Sequence, residues 1–124
     1  MRRFVVLALI GLAACDGGGA PTPVQKIEVA NPMHQQLLAL SPANQGLGLR
    51  RAIMDSRYRC KRVEAHGFQQ DHNALKMWVV RCSDASPYAV FLAPSGDVQV
   101  RRCNDAASLG LPACRLPEVA TSDS

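Results

Sequence analysis

Six basic side chains lie within thirteen residues in the middle of the chain, and a single acidic side chain, Asp55, lies among them. The six are Arg50, Arg51, Arg57, Arg59, Lys61 and Arg62. Such a group suits contact with anionic lipid headgroups or an acidic cell-wall polymer, and at a membrane surface each charge adds roughly 1 kcal/mol. The alternative is a solvated helix end and an edge strand, where basic side chains discourage pairing with a further strand. Charge patterning alone favours this second interpretation.

Four cysteines lie in the second half of the chain, and their even number is typical of two disulfides in a small exported domain. They are Cys60, Cys82, Cys103 and Cys114. No Cys-x-x-Cys spacing occurs among them, which argues against a thioredoxin-like redox site and against a zinc knuckle. The sequence also lacks Cys-x-x-Cys-His, the motif that attaches covalent haem.

Three metal-ligating side chains, His66, Asp71 and His72, lie within seven residues of one another. Their spacing matches no helical or finger pattern of zinc ligands, so a polar turn is the better interpretation. No Ser-His-Asp or Cys-His arrangement stands out as a nucleophile. The sequence therefore predicts no catalytic residue, no metal and no cofactor, and it predicts a protein that is not an enzyme.

The first fourteen residues have the composition of a secretory signal peptide. Arg2 and Arg3 precede an apolar run, residues 4–12, and two small residues follow it. The whole apolar stretch, residues 4–14, has eleven residues. A membrane-spanning helix needs roughly 20, so a permanent span is not predicted here.

The last residues of that segment, Leu12-Ala13-Ala14-Cys15, resemble the lipobox of bacterial lipoproteins. The resemblance implies that the Cys15 sulfur carries a diacylglycerol, that the cut falls between Ala14 and Cys15, and that the new amino group is acylated as well. Two or three acyl chains hold a protein stably on a membrane. Asp16 resembles the inner-membrane retention signal of enteric bacteria, although the choice between inner and outer membrane stays open. The alternative is an ordinary signal peptide that leaves Cys15 as a free thiol.

Beyond the predicted signal peptide the chain divides into three parts. Residues 15–23, rich in Gly and Pro, predict a flexible tether. Residues 24–116 predict one small domain, and residues 117–124 a disordered tail. Removing the two N-terminal arginines lowers the net charge from +4 to +2. A mildly basic exported chain does not predict nucleic acid as a partner.

Two helices are predicted at the start of the domain. Each begins with a capping residue followed by a proline at the first helical position, in Asn31-Pro32 and in Ser41-Pro42. Proline is tolerated there because the first N–H of a helix has no partner within the helix. The first helix would cover residues 32–40 and the second residues 42–56. The two could also merge into one kinked unit.

Beyond residue 56 the hydrophobic period changes to two, which predicts strands. Four are expected, over residues 57–65, 74–82, 88–93 and 98–103. Residues 83–87 and 94–97 predict tight turns, and residues 66–73 a longer polar loop. The predicted fold class is α+β, with the helix or kinked helix pair packed on a four-stranded antiparallel meander.

The register of the first predicted hairpin suggests the disulfide pairing. Folding the hairpin about Asp71 places Cys60 opposite Cys82, and residues directly opposite each other have about the separation that a disulfide requires. The second bridge would then link the C-terminal residues to the last strand. The sequence therefore predicts the disulfides Cys60–Cys82 and Cys103–Cys114.

The second predicted strand is apolar on both faces, which is typical of a central strand that is covered on both sides. One face carries Trp78 and Val80, and the other carries Leu75, Met77 and Val79. The helices cover only one face. Residues 106–116, held by Cys114, are the predicted cover of the other face, with a partner protein or an exposed surface as the alternatives.

The body of the chain, residues 49–64 in particular, resembles small periplasmic lipoproteins of Gram-negative bacteria, and this resemblance implies no activity. We therefore predict a membrane-tethered periplasmic lipoprotein that acts as a non-catalytic binding or structural module. Its expected partners are the lipid bilayer, through acylated Cys15, and an envelope protein. The alternative is a small-ligand-binding protein or an accessory subunit of an envelope enzyme.

Overall fold

The computed structural model of the protein describes residues 29–117, so Cys15 and the predicted tether lie outside the described residues. Two helices precede four strands and a short 3-10 turn. They are α1 (Pro32–Ala39), α2 (Pro42–Asp55), β1 (Val63–His72), β2 (Leu75–Cys82), β3 (Tyr88–Leu92), β4 (Val98–Arg102) and the 3-10 turn (Cys103–Asp105). The strands form one antiparallel sheet in the order β1-β2-β3-β4, which confirms the predicted α+β fold. Within residues 29–117 no helix has the length and apolar character that crossing a membrane requires.

Both helices begin at the predicted caps. The Asn31 side chain accepts a hydrogen bond from the backbone N–H of His34 at 3.0 Å, and the Ser41 hydroxyl accepts one from Asn44 at 3.3 Å. Each bond satisfies a backbone donor that has no partner inside the helix. Leu40 has an extended backbone, with φ −78° and ψ 156°, so the two helices are separate and do not form one kinked unit.

The helix pair covers one face of the sheet. Leu49 and Ile53 of α2 lie four residues apart and project onto the same side of the helix, beside Leu37 of α1. They pack against alternate residues of the three strands β2 to β4, which are Trp78, Val80, Val90, Leu92 and Val100. This cluster is the main hydrophobic core of the domain.

Trp78 connects α1 to the sheet. The indole is 2% exposed, and its Nε1 donates a hydrogen bond to Nδ1 of the buried His34 at 3.1 Å. The Phe68 ring lies against both, with its centroid 4.7 Å from the His34 ring and 5.9 Å from the Trp78 ring. Because the indole N–H is satisfied, the largest aromatic side chain of the core can be buried without loss of a hydrogen bond.

The C-terminal segment, residues 106–117, covers the opposite face of the sheet, as predicted. The buried side chains on this face are Met77, Val79, Ala89 and Phe91, and Leu75, Leu111, Cys103 and Cys114 pack against them. Both faces of β2 are therefore buried, and each by a different part of the chain. This explains why the strand is apolar throughout.

Gln69 of β1 forms hydrogen bonds with the backbone of the C-terminal segment. The Gln69 side-chain amide donates to the carbonyl oxygen of Ala113 at 2.9 Å and accepts from the backbone N–H of Arg115 at 2.7 Å. The Arg115 guanidinium also donates to the Gln69 carbonyl oxygen at 3.1 Å. The amide thus pairs with the backbone much as a neighbouring strand would.

The first strand differs from its prediction. β1 covers Val63–His72, whereas a strand was expected over residues 57–65 and a loop over residues 66–73. The hairpin closes through a two-residue turn at Asn73 and Ala74, with Asn73 at a φ of 54°, which Asn tolerates better than most residues. Two register shifts along the β1–β2 pair move the pairing further, so the predicted register is wrong.

Both disulfides are those predicted. Cys60–Cys82 has a Cα–Cα separation of 5.3 Å, and Cys103–Cys114 one of 5.7 Å. Cys60 does not lie on a strand, because β1 begins three residues later, at Val63. The backbone partner of Cys82 is Val63 and not Cys60. The bridge instead joins the end of β2 to the segment that precedes β1.

Candidate functional site

Residues 57–62, with the sequence Arg-Tyr-Arg-Cys-Lys-Arg, join α2 to β1. They carry four of the six basic residues that the sequence groups together in the middle of the chain. We call this segment the basic connector. Arg57, Arg59, Lys61 and Arg62 are all exposed on it. The structure therefore places these side chains on an irregular connecting segment, where a helix end and an edge strand were expected.

The basic connector is held at several points although it has no regular secondary structure. The Cys60–Cys82 bridge fixes its centre. The Lys61 backbone N–H donates to the Asp84 carboxylate at 2.7 Å, and the Tyr88 hydroxyl donates to the Arg59 carbonyl oxygen at 2.8 Å. Its backbone is thus fixed while its basic side chains extend into solvent.

The other two basic residues of the group have separate roles. Arg50 of α2 donates from Nε to the carbonyl oxygens of Cys60 and Lys61, at 3.0 and 3.1 Å, so it positions the connector. Arg51 lies on the exposed side of α2, with Nε 3.9 Å from Asp55 Oδ2. An exposed pair at helical spacing contributes little to stability. Arg51 lines neither of the two grooves beside the basic connector.

Arg57 has an unusual backbone conformation. Its N–H donates to the Met54 carbonyl oxygen at 2.9 Å and the Tyr58 N–H to that of Ile53 at 3.1 Å, a hydrogen-bond pattern that commonly ends helices. The φ of Arg57 is 66°, and this position is usually Gly. A left-handed backbone costs a residue with a side chain about 1–2 kcal/mol. A cation at a helix C-terminus recovers about 0.3–1 kcal/mol of this.

A polar cleft of about 530 Å³ lies between the basic connector and the end of β4, and we call it the arginine cleft. Three arginines line it, Arg57, Arg59 and Arg102. The Arg102 guanidinium lies 5.5 Å from the centre of the Tyr58 ring, whose other neighbour is Tyr88 at 5.3 Å between ring centres. The remaining polar lining residues are Asp84, Ser86, Asn104 and Asp105.

A second groove, of about 700 Å³, lies between α2 and the start of β1. Arg50, Lys61, Arg62 and Glu64 provide its charged lining. His66 also lines it, and its Nε2 lies 2.9 Å from the Pro42 carbonyl oxygen. The basic connector thus has a basic groove on each side.

The described domain is more basic than the whole chain. Residues 29–117 contain eleven Lys and Arg and six Asp and Glu, a net charge of +5, against +4 for all 124 residues. Within the described range no carboxylate lies within 4 Å of the cationic groups of the basic connector or of Arg102. Within residues 29–117 these cations therefore form no direct ion pair.

The three side chains of metal-ligating type, His66, Asp71 and His72, lie on β1, because the predicted polar loop is a strand. Asp71 forms an ion pair with Lys76 at 2.8 Å, and the His72 ring lies 6.1 Å from the Phe91 ring. The His66 ring contacts the Pro42 carbonyl oxygen at the start of α2. Among residues 29–117 we find no group of three side chains that could hold a metal ion.

The sequence did not identify two members of the arginine cleft, Tyr58 and Arg102. Both are distant in sequence from each other and meet only in the folded sheet. The signal that existed was the β3–β4 hairpin, in which Arg102 pairs with Tyr88. This pairing places Arg102 at the end of the sheet where the basic connector lies.

The fold and site together define a disulfide-linked α+β domain with a basic, anion-accessible end. Comparisons of the chain with protein families, with curated proteins and with solved structures find no match.

Proposed function

We propose that the protein is a lipid-anchored, non-catalytic binding module on the periplasmic side of the cell envelope, and that the basic connector and its grooves contact an acidic envelope polymer. One observation carries the proposal. Four cationic side chains extend from a backbone that a disulfide and side-chain hydrogen bonds hold rigid, and no carboxylate of residues 29–117 pairs with them. A fixed backbone lowers the conformational entropy that the segment loses when it binds a polyanion.

The position of the N-terminal attachment supports a polymer over the anchoring bilayer. Asn31 donates to the carbonyl oxygen of Leu92, the last residue of β3, so the chain enters the domain at that end of the sheet. The basic connector lies at the other end, where Tyr88 begins β3. Four residue steps along a strand separate these ends by about 13 Å.

The chain between Cys15 and residue 29 has fourteen residue steps and can reach at most about 50 Å. This length suffices for the domain to stand clear of the lipid headgroups. When the attachment end lies nearest the membrane, the basic connector faces away from it, toward the acidic polymers of the envelope.

The anchor itself is tested by labelling cells with a clickable fatty acid. We expect Cys15→Ser to lose the label and to leave the membrane fraction, because the acylated sulfur and amino group both depend on Cys15. Asp16→Asn is the control, since it leaves the acceptor intact and should be labelled like the wild type. Equal labelling of wild type and Cys15→Ser would refute the anchor.

Polymer binding is tested with two variants of equal net charge. Arg59→Gln with Arg62→Gln removes one cation from each groove, and Arg51→Gln with Arg101→Gln removes two cations elsewhere. Both variants are compared on a column of immobilised heparin, used as a model acidic polysaccharide. The full chain with the first pair of substitutions should elute at clearly lower salt than the full chain with the second pair. Elution of both variants at the same salt would show that only bulk charge matters.

A further inference from the structure

We propose that the arginine cleft is a specific site for an acidic sugar unit, a phosphate or carboxylate group carried next to hydroxyl groups. This inference rests on the proposed function and names the ligand class of the same surface. Three arginines line the cleft from two parts of the fold: Arg57 and Arg59 lie on the basic connector, and Arg102 lies at the end of β4.

Arg57 gives the first reason. Four residues within 29–117 have a positive φ, and three of them are of types that tolerate it, Asn73, Gly96 and Gly110. Arg57 is the exception. Gly at this position would end the helix with less backbone strain. Backbone strain of this kind concentrates at functional sites, so it points to a role for the Arg57 side chain.

The second reason is that the other two arginines are positioned. Arg102 lies over the Tyr58 ring at 5.5 Å, and a cation over an aromatic face is held there electrostatically. The Arg59 backbone is fixed by the Tyr88 hydroxyl at 2.8 Å. Guanidinium groups match the geometry of carboxylate and phosphate oxygens through pairs of parallel hydrogen bonds.

The rest of the lining indicates hydroxyl groups beside the anion. Two carboxylates also line the cleft, those of Asp84 and Asp105. The Asp84 carboxylate already accepts a hydrogen bond from the Lys61 backbone N–H at 2.7 Å. Three arginines against two aspartates leave a formal charge of only +1 in the cleft. A bare phosphate ion would meet those carboxylates, whereas sugar hydroxyls would donate to them and bond Ser86 and Asn104.

The cleft is large enough to hold a sugar unit. Its volume of about 530 Å³ lies within the roughly 300–1,000 Å³ that is typical of small-molecule sites. The cleft borders the basic connector, so neighbouring acidic units of a polymer would meet Lys61 and Arg62 in the second groove.

The test is isothermal titration of the full chain in detergent micelles with galacturonate, glucose 6-phosphate, glucose and inorganic phosphate. We expect the two acidic sugars to bind and the neutral sugar not to bind. Arg57→Gly and Arg102→Gln should each weaken binding of the acidic sugars about tenfold or more. Arg51→Gln, which also removes one cation, should bind like the wild type.

The variant Arg57→Gly separates binding from folding. Because Gly relieves the left-handed strain, its midpoint of thermal unfolding should rise by roughly 2–5 °C while binding is lost. Loss of binding therefore cannot be attributed to unfolding. Arg57→Lys keeps the charge and the strain, and should retain part of the affinity because Lys binds oxyanions without the paired geometry.

Three results would overturn the inference. Acidic sugars that bind Arg57→Gly and Arg102→Gln as tightly as the wild type would exclude the cleft, while heparin retention that still depends on Arg59 and Arg62 would leave the proposed function intact. Inorganic phosphate that binds as tightly as glucose 6-phosphate would remove the sugar from the ligand class. Binding to phosphatidylglycerol vesicles but to none of the soluble sugars would assign the site to lipid headgroups.

Discussion

Replacing Phe91 by alanine should lower the free energy of unfolding by about 3–5 kcal/mol, the largest effect that we expect from a single side chain. Phe91 is 2% exposed and lies on the sheet face that the C-terminal segment covers, beside Met77 and Val79. Truncation would leave a cavity between the sheet and a segment without regular structure. Typical domains are stable by 5–15 kcal/mol, so this loss is a large part of the total.

Guanidinium unfolding of the purified full chain, followed by circular dichroism, measures this effect. Phe91→Leu is the control, because it keeps most of the apolar volume and should lose clearly less stability. A loss below about 1 kcal/mol for Phe91→Ala would mean that the C-terminal segment does not seal this face of the sheet in solution.

Replacing both Cys60 and Cys82 by alanine should lower the free energy of unfolding by about 3.4 kcal/mol. The bridge spans a sequence separation of 22 residues, and its removal lets the unfolded chain gain conformational entropy. It should also release the basic connector from the end of β2. The heparin retention of the full chain is therefore expected to fall together with its stability.

The second disulfide provides the comparison. Cys103 and Cys114 are separated by only 11 residues, so the same chain-entropy argument gives a slightly smaller loss, about 2.8 kcal/mol. Their replacement should chiefly free the C-terminal segment, which increases the binding of dyes to apolar surface and leaves heparin retention unchanged. A larger loss from this pair than from Cys60 and Cys82 would contradict the order that we expect.

The parts of the fold that could be predicted are those with strong local signals. Asn31 and Ser41 each precede a proline, and both helices begin there. The apolar character of β2 on both faces predicted a second cover, and residues 106–117 provide it. In these cases the local preference of the sequence and the tertiary structure agree.

The first strand could not be predicted from its pattern. β1 is an edge strand, and most of its side chains are neither fully buried nor fully exposed. Its polar residues bind groups outside the strand: Gln69 binds the C-terminal backbone, His66 binds Pro42, and Asp71 pairs with Lys76 of β2. None of these partners is adjacent in sequence, so the strand has the composition of a polar loop. The prediction of the Cys60–Cys82 disulfide was nevertheless correct, because the basic connector brings Cys60 beside Cys82.

The candidate site was predicted in part. The density of basic residues identified the connector, but it did not distinguish Arg50, which holds the connector in place, from Arg57 and Arg59, which extend into the arginine cleft. That distinction depends on which carbonyl oxygens lie within reach of Arg50. Arg102 could not be recognised from composition because it enters the site from the far end of β4.

The contact between Trp78 and α1 makes the protein report on its own unfolding. The chain has one tryptophan, and its indole N–H is bonded to His34 of α1. Fluorescence emission therefore arises from one point, between the first helix and the sheet, and it shifts to longer wavelength when water reaches that point. Opening of the C-terminal segment exposes the other face of β2, so it would leave the emission maximum nearly unchanged. A fluorometer can thus distinguish, in unmodified protein, which of the two layers separates first from the sheet.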